Sequence, residues 1–305
     1  MSRPLGHWLL LLALVAMWGS AFALTGIAVR GIDPVPLVAI RLVVAAALLT
    51  GLVLIRRQRF PGTGRFWWFA LLIALAGNCV PFTLISFGQI RVPSGLTGIL
   101  MGIMPLAVMV MAHFLVAGER LNAVKAMGFG LGFVGLVILI GPEALLQARG
   151  LGSDLLYLLA ILGGALCYAT NTIIARRRPP ADPVVAAAAV MLTGSLVMAP
   201  FGLPEARAAV QAAPMASIAA MIALAVVATA IATVVFLKLI ALAGPSFTSF
   251  INYLIPLWAL GVGVLFLGEE PEPRALVALV LILGGIGLGE IGARRALAPD
   301  ARQAA

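Results

Sequence analysis

Charge is what this sequence has least of. Lys, Arg, Asp and Glu make up 10% of 305 residues, against 63% hydrophobic side chains. With a mean hydropathy of +1.14, there is too little polar surface to face water. That excludes a water-soluble globule, a large soluble catalytic domain, a disordered tail and a long extracellular module. Both cysteines, Cys79 and Cys167, sit inside apolar runs, so a disulfide framework and a zinc site lack support and both read as small packing residues. The two histidines, His7 and His113, are far apart and no His pair joins a carboxylate. An enzyme is therefore not expected, and neither a metal nor another cofactor is. The net charge of +9 would suit nucleic acid, but the 20 Lys and Arg are scattered through short loops and build no basic arm. They read instead as topology signals.

What is there is a series of apolar runs. A spanning helix needs about 20 residues, and ten segments can be cut between charged or Pro/Gly punctuation: Trp8 to Val29, Pro36 to Ile55, Phe66 to Gln89, Ser94 to Ala117, Val124 to Ile140, Leu155 to Ile174, Val184 to Leu203, Met215 to Leu239, Ser246 to Leu267 and Ala275 to Ile291. The first begins like a cleavable signal peptide but runs on to Val29, which is span length, so it reads as retained. With the N-terminus in the cytoplasm, 14 positive charges fall inside and five outside, and the remaining one, Arg41, lies within the second span. This bias places both termini inside. The expectation is an all-α protein of ten transmembrane helices in the cell inner membrane, a multi-pass monomer whose partners are lipid and a small-molecule substrate.

An internal repeat organises these spans. Pro93-Ser94 to Pro105 to Gly118-Glu119 recurs as Pro245-Ser246 to Pro256 to Gly268-Glu269, and the glycines of the fifth span (Gly128, Gly130, Gly132, Gly135) parallel those of the tenth (Gly284, Gly285, Gly287, Gly289). The expected units are residues 1–142, residues 143–293 and a short cytoplasmic tail, 294–305. Five helices per unit is an odd number, so the second unit enters the membrane from the opposite side. Inverted halves of this kind can exchange inward and outward shapes around a midplane site.

Non-aliphatic residues near the span centres are few, and they are the candidates for that site. They include Trp18, Ser20 and Phe22 in the first span, Asn78 and Phe82 in the third, Met101 and Met104 in the fourth, Cys167 and Asn171 in the sixth, and Asn252 and Tyr253 in the ninth. Amides at that depth must find partners, which points to a hydrated space or a polar helix interface. Thr25, Thr172, Thr229 and Thr233 read first as hydroxyls bonded to their own backbone, and Trp258 as packed or lipid-facing. Pro105 and Pro256 each free a carbonyl one turn earlier and act as hinges or static kinks, with Gly102 in a packing role. Arg41 lies shallow enough to snorkel or to bond carbonyls of a neighbouring helix, with attraction of a substrate carboxylate as the alternative. Glu119 and Glu269 are expected at solvent-exposed helix ends on opposite sides.

Trp18-Gly19-Ser20 with Phe22, Arg41, Pro105 with Gly118-Glu119-Arg120-Leu121, and Pro256 with Gly268-Glu269 resemble the drug/metabolite transporter superfamily, in particular its ten-helix EamA-type members and, among them, YddG-type amino-acid and metabolite exporters. The resemblance runs from about residue 9 to residue 292. It implies two repeats around a central cavity faced by Trp18 and Met104, and export from the cytoplasm. The second copy departs from it, with Cys167-Tyr168-Ala169 in place of the Trp-Gly-Ser triplet and no counterpart of Arg41. No Asp or Glu lies near any span centre, so the expected activity is broad, gradient-driven amino-acid efflux without a coupling carboxylate. The alternative is proton-coupled export of drugs or other metabolites.

Overall fold

The computed structural model describes residues 4–116, 122–140, 153–248 and 250–297. Gly118-Glu119-Arg120-Leu121 and Ser249 lie outside the described residues. The described residues are helical apart from short connections: α1 Leu5–Ala28, α2 Pro34–Ile55, α3 Gly64–Gly88, α4 Ser94–Leu115, α5 Ala123–Ile140, α6 Ser153–Ala175, α7 Pro183–Ala212, α8 Met215–Ala243, a single turn Pro245–Thr248, α9 Ile251–Leu267 and α10 Pro273–Leu297. Seven of these helices are long and apolar enough to cross a membrane, and shorter apolar helices cover Ala123–Leu139, Ile251–Leu267 and Pro273–Gly289.

Three departures from the expected boundaries have physical causes. Helix α7 continues to Ala212 with Pro200 and Pro204 inside it. Pro204 reads as a stop, but the alanine-rich stretch that follows has high helix propensity and carries the helix onward. Helix α4 is interrupted at Gly102–Ile103, just upstream of Pro105, which withholds a backbone donor from the preceding turn, whereas Pro256 lies inside α9 without breaking it. Helices α3 and α8 each contain a π-turn, Leu75–Cys79 and Val226–Ile231, where one extra residue widens the coil.

Helix packing follows the small residues. A Cβ on Gly128 would come within 2.6 Å of the Gly285 carbonyl oxygen and 2.8 Å of the Gly289 nitrogen, while Gly135 abuts Ala278 and Ile282. Helices α5 and α10 therefore run antiparallel at backbone contact. The same sense holds for α2 against α7, where Gly202 meets Pro36 and Ala39 while Gly194 meets Leu42, and for α4 against α9, where Gly95, Gly98 and Gly102 meet Leu260, Ala259 and Pro256. Between these pairs, α1 packs on α8 and α9, and α6 packs on α3 and α4. Lipid tails offer helices no hydrophobic incentive to associate, so close approach through Gly and Ala supplies the dispersion energy instead.

Glu269 differs from its expected place at a solvent-exposed end. Gly268 adopts a left-handed φ of 65° after Leu267, and the Glu269 N–H turns back to donate to the Gly263 carbonyl at 3.0 Å. Its carboxylate then accepts the Ser94 N–H and hydroxyl at 2.7 Å each and the Gly95 N–H at 2.8 Å. The side chain fills a notch left by Gly95 and Gly263, where a Cβ would strike it. Ser94 opens α4, so a carboxylate from the end of α9 caps the α4 N-terminus, satisfying two orphan donors and facing the positive end of the helix dipole.

Two outcomes are expected in detergent unfolding. Glu269→Ala lowers the thermal midpoint, by a loss of about 2 kcal/mol, whereas the exposed neighbour substitution Glu270→Gln leaves it unchanged. Gly285→Ala, which places a Cβ 2.5 Å from the Gly128 oxygen, costs about 1–3 kcal/mol, and Gly287→Ala, which meets open space, is tolerated.

Candidate functional site

The midplane candidates fall into two groups. The first is built on α2, α3, α6 and α8. Arg41, eight residues into α2, is buried at 7% exposure. It neither snorkels nor bonds a carbonyl: its Nε donates to the Thr229 hydroxyl at 2.7 Å and its guanidinium carbon lies 3.7 Å from the centroid of the Phe82 ring. A cation over an aromatic face gains about 0.5–2 kcal/mol, more as water is excluded. Tyr168 of α6 lies within electrostatic reach of the same guanidinium. One turn along α6, the Asn171 amide lies against the backbone of Gly77, where a Cβ would come within 2.8 Å of its Nδ2. Asn78 follows in the same π-turn and is buried.

Both π-turns feed this group. Asn78 sits in the turn of α3 and Thr229 in that of α8, and the two stand at the same sequence offset as Pro105 and Pro256. Widening the coil lets Thr229 donate its own proton to the Leu224 carbonyl, five residues back, at 2.8 Å while its oxygen accepts from Arg41. Interrupted α-helices at matched points of two halves are a frequent setting for transport sites.

The second group joins α1, α4 and α9. Trp258 Nε1 donates to the Ser20 hydroxyl at 2.9 Å, and its indole covers Gly19, where a Cβ would come within 2.5 Å of the ring. Gln89 Nε2 donates to the Phe22 carbonyl at 2.8 Å, and Phe22 lines the approach to Gly98. Trp18 packs its ring 5.1 Å from that of Phe236 in α8, between α1 and α8.

The remaining candidates lie apart from these contacts. Met101 is buried among Ile282, Ile286 and their neighbours, with Met104, Phe22 and Tyr253 half-buried against the same cluster. Cys167 and Asn252 are half-buried. Both cysteines are free thiols, and Cys79 reaches the Gly194 carbonyl at 3.6 Å, a packing contact between α3 and α7. Thr25, Thr172, Thr229 and Thr233 all bond backbone carbonyls of their own helices, as their depth and type lead one to expect. A groove of about 450 Å³, lined by Trp67, Trp68, Leu71 and Leu196 among others, lies on the flank between α3 and α7, away from both groups. Among the described residues no group of three or more His, Cys, Asp or Glu could hold a metal ion.

Tyr168, Thr229 and Trp258 stand out in sequence as non-aliphatic midplane residues, but the partners they contact do not. For Thr229 the repeat offset from Asn78 was the available signal. Trp258 had none, since pairing it with Ser20 depends on how α9 is rotated against α1.

Comparison with known proteins bears on what these groups do. Residues 5–141 and 155–288 each match the model of the EamA-like transporter family. A probable terminal-alkyne amino-acid exporter of Streptantibioticus cattleyicolor is 28% identical over 92% of this chain and 92% of its own. An uncharacterized transporter, YvbV, of Bacillus subtilis is 28% identical over 92% of this chain and 90% of its own. One crystal structure superposes with a TM-score of 0.63 at 19% identity, over 97% of this chain and 100% of that one, a likeness of fold.

The Ser20–Trp258 bond is expected to behave as a coupled pair. Unfolding of Ser20→Ala, Trp258→Phe and the double variant should give a coupling energy of about 1 kcal/mol, and strict additivity would show the hydroxyl and indole to be independent.

Proposed function

The chain belongs to the EamA-like transporter family, and from that premise we propose that it is an alternating-access carrier exporting amino acids and related small metabolites with broad specificity. It is a multi-pass membrane transporter and not an enzyme. The observation that carries the alternation is the antiparallel meeting of like helices: α2 with α7, α4 with α9 and α5 with α10. Each pair joins an element of residues 1–142 to its counterpart in 143–293. The swapped contacts, α1 on α8 and α9 and α6 on α3 and α4, complete the pattern of two inverted five-helix units that rock about one centre. On this reading all ten helices span the inner membrane, both termini are cytoplasmic and the carrier acts as a monomer.

The substrate class draws on the relative named as an amino-acid exporter and on the makeup of the midplane candidates as a set. Trp18, Phe22, Phe82, Met104 and Tyr253 supply apolar and aromatic walls. Ser20, Asn78, Cys167, Asn171 and Asn252 supply neutral polar contacts, and Met101 supports the wall from behind. Such a lining suits a solute whose own charges cancel. With no Asp or Glu near a span centre, efflux runs down the solute gradient. Gly102 and Pro105 lie at the break in α4, with Pro256 of α9 packed near Gly102, a natural place for the hinge.

In proteoliposomes, saturable counterflow of labelled amino acids is expected without an imposed pH gradient, and Trp18→Ala in folded protein should reduce it severalfold. Flux that depends on a pH gradient would overturn the uncoupled mechanism, and non-saturating flux would indicate a pore.

A further inference from the structure

The Arg41 guanidinium presents a chemical imbalance. It is a permanent cation with five N–H donors, 7% exposed on a spanning helix. Its protein hydrogen bond is the one from Nε to Thr229, and among the described residues no carboxylate pairs with it. The Phe82 face offsets part of the desolvation, yet among the described residues the four terminal N–H donors have no protein acceptor. A buried charge left in this state is strongly unfavourable unless something anionic and hydrogen-bonding completes it. The planar fork of a guanidinium matches the two oxygens of a carboxylate, giving parallel charge-assisted bonds.

A second imbalance lies nearby. Asn171 Oδ1 is buried without a hydrogen-bond partner, one turn of α6 from Tyr168, which lies within electrostatic reach of Arg41. An unsatisfied acceptor near an unsatisfied cation is the complement of a zwitterion, which carries an anionic acceptor at one end and an ammonium donor at the other.

We propose that Arg41, seated on Phe82 and aimed by Thr229, is the docking point for the substrate's carboxylate, with the Asn171 oxygen receiving the ammonium of the same solute. This rests on the amino-acid reading above and makes it narrower: a free carboxylate becomes the required group, and cationic amines are excluded by the charge of Arg41. Thr229 is a positioning residue, since holding Nε turns the other two nitrogens of the fork toward the incoming oxygens.

The test uses one side chain in four chemical forms on the whole purified protein: leucine, its carboxamide leucinamide, the des-amino acid 4-methylpentanoate and the decarboxylated 3-methylbutylamine. Thermal stabilisation in detergent reads binding, and competition with labelled leucine counterflow reads transport. Leucine and 4-methylpentanoate are expected to stabilise the wild-type protein and to compete, with leucinamide and the amine needing at least about tenfold higher concentration. Arg41→Gln should bring the ratio of leucine to leucinamide affinity close to one, and Arg41→Lys should leave a reduced preference. Should Arg41→Gln fail to fold, the wild-type ligand series decides alone. Equal potency of leucine and leucinamide on the wild type, no stabilisation by either carboxylate, or a folded Arg41→Gln protein that keeps the preference would overturn the Arg41 site. Stabilisation by the carboxylates without leucine exchange would instead support the site and overturn the amino-acid transport reading.

Discussion

In hydrocarbon, a polar group has no solvent to fall back on, and that constraint shapes every informative contact in this structure. Backbone groups are consumed within helices. Where a helix starts or breaks, another part of the chain supplies the missing partner. The clearest case is Glu269, which leaves α9 through a left-handed glycine and satisfies the first donors of α4. One carboxylate thereby ties the end of one helix to the start of another nearly two hundred residues away in sequence.

The two polar groups obey the same constraint from opposite directions. Around Ser20, Trp258, Phe22 and Gln89, donors find acceptors in adjacent helices, with the Gln89 Oε1 left without a partner. Around Arg41 and Asn171 the accounting is left open, with donors and an acceptor that the protein does not complete. Incomplete polar groups are what a passing solute can use, because satisfied groups have less to offer it. The π-turns in α3 and α8 contribute by splaying Asn78 and Thr229 from regular register.

Much of the architecture was legible in the sequence. Runs such as Pro36 to Ile55 and Met215 to Leu239 begin or end within a few residues of α2 and α8, because span length and Pro/Gly punctuation are properties of the chain alone. The recurrence of Pro-Ser, Pro and Gly-Glu leads to the expectation of two units. Helix rotation was not legible. These helices are apolar on nearly every side, so no stripe marks which face turns inward. That is why the sequence leaves Arg41 open between snorkelling, a carbonyl bond and a substrate carboxylate when it folds onto Phe82, why Glu269 reads as solvent-exposed when it caps α4, and why Trp258 and Ser20 are not joined. The π-turns leave no compositional trace, since each is a single inserted residue in an otherwise ordinary run.

That inserted residue has a consequence for the geometry of α3. Removing one position between Leu75 and Cys79 would let the coil close into a regular α-helix, and every residue beyond it would rotate by about 100° and retreat by about 1.5 Å. Phe82 would swing off the guanidinium and Gln89 would leave the Phe22 carbonyl, although no side chain in either contact had been changed. The register of the far half of α3 is therefore stored in a local defect, and a one-residue deletion there would rewire the centre of the protein more thoroughly than most substitutions could.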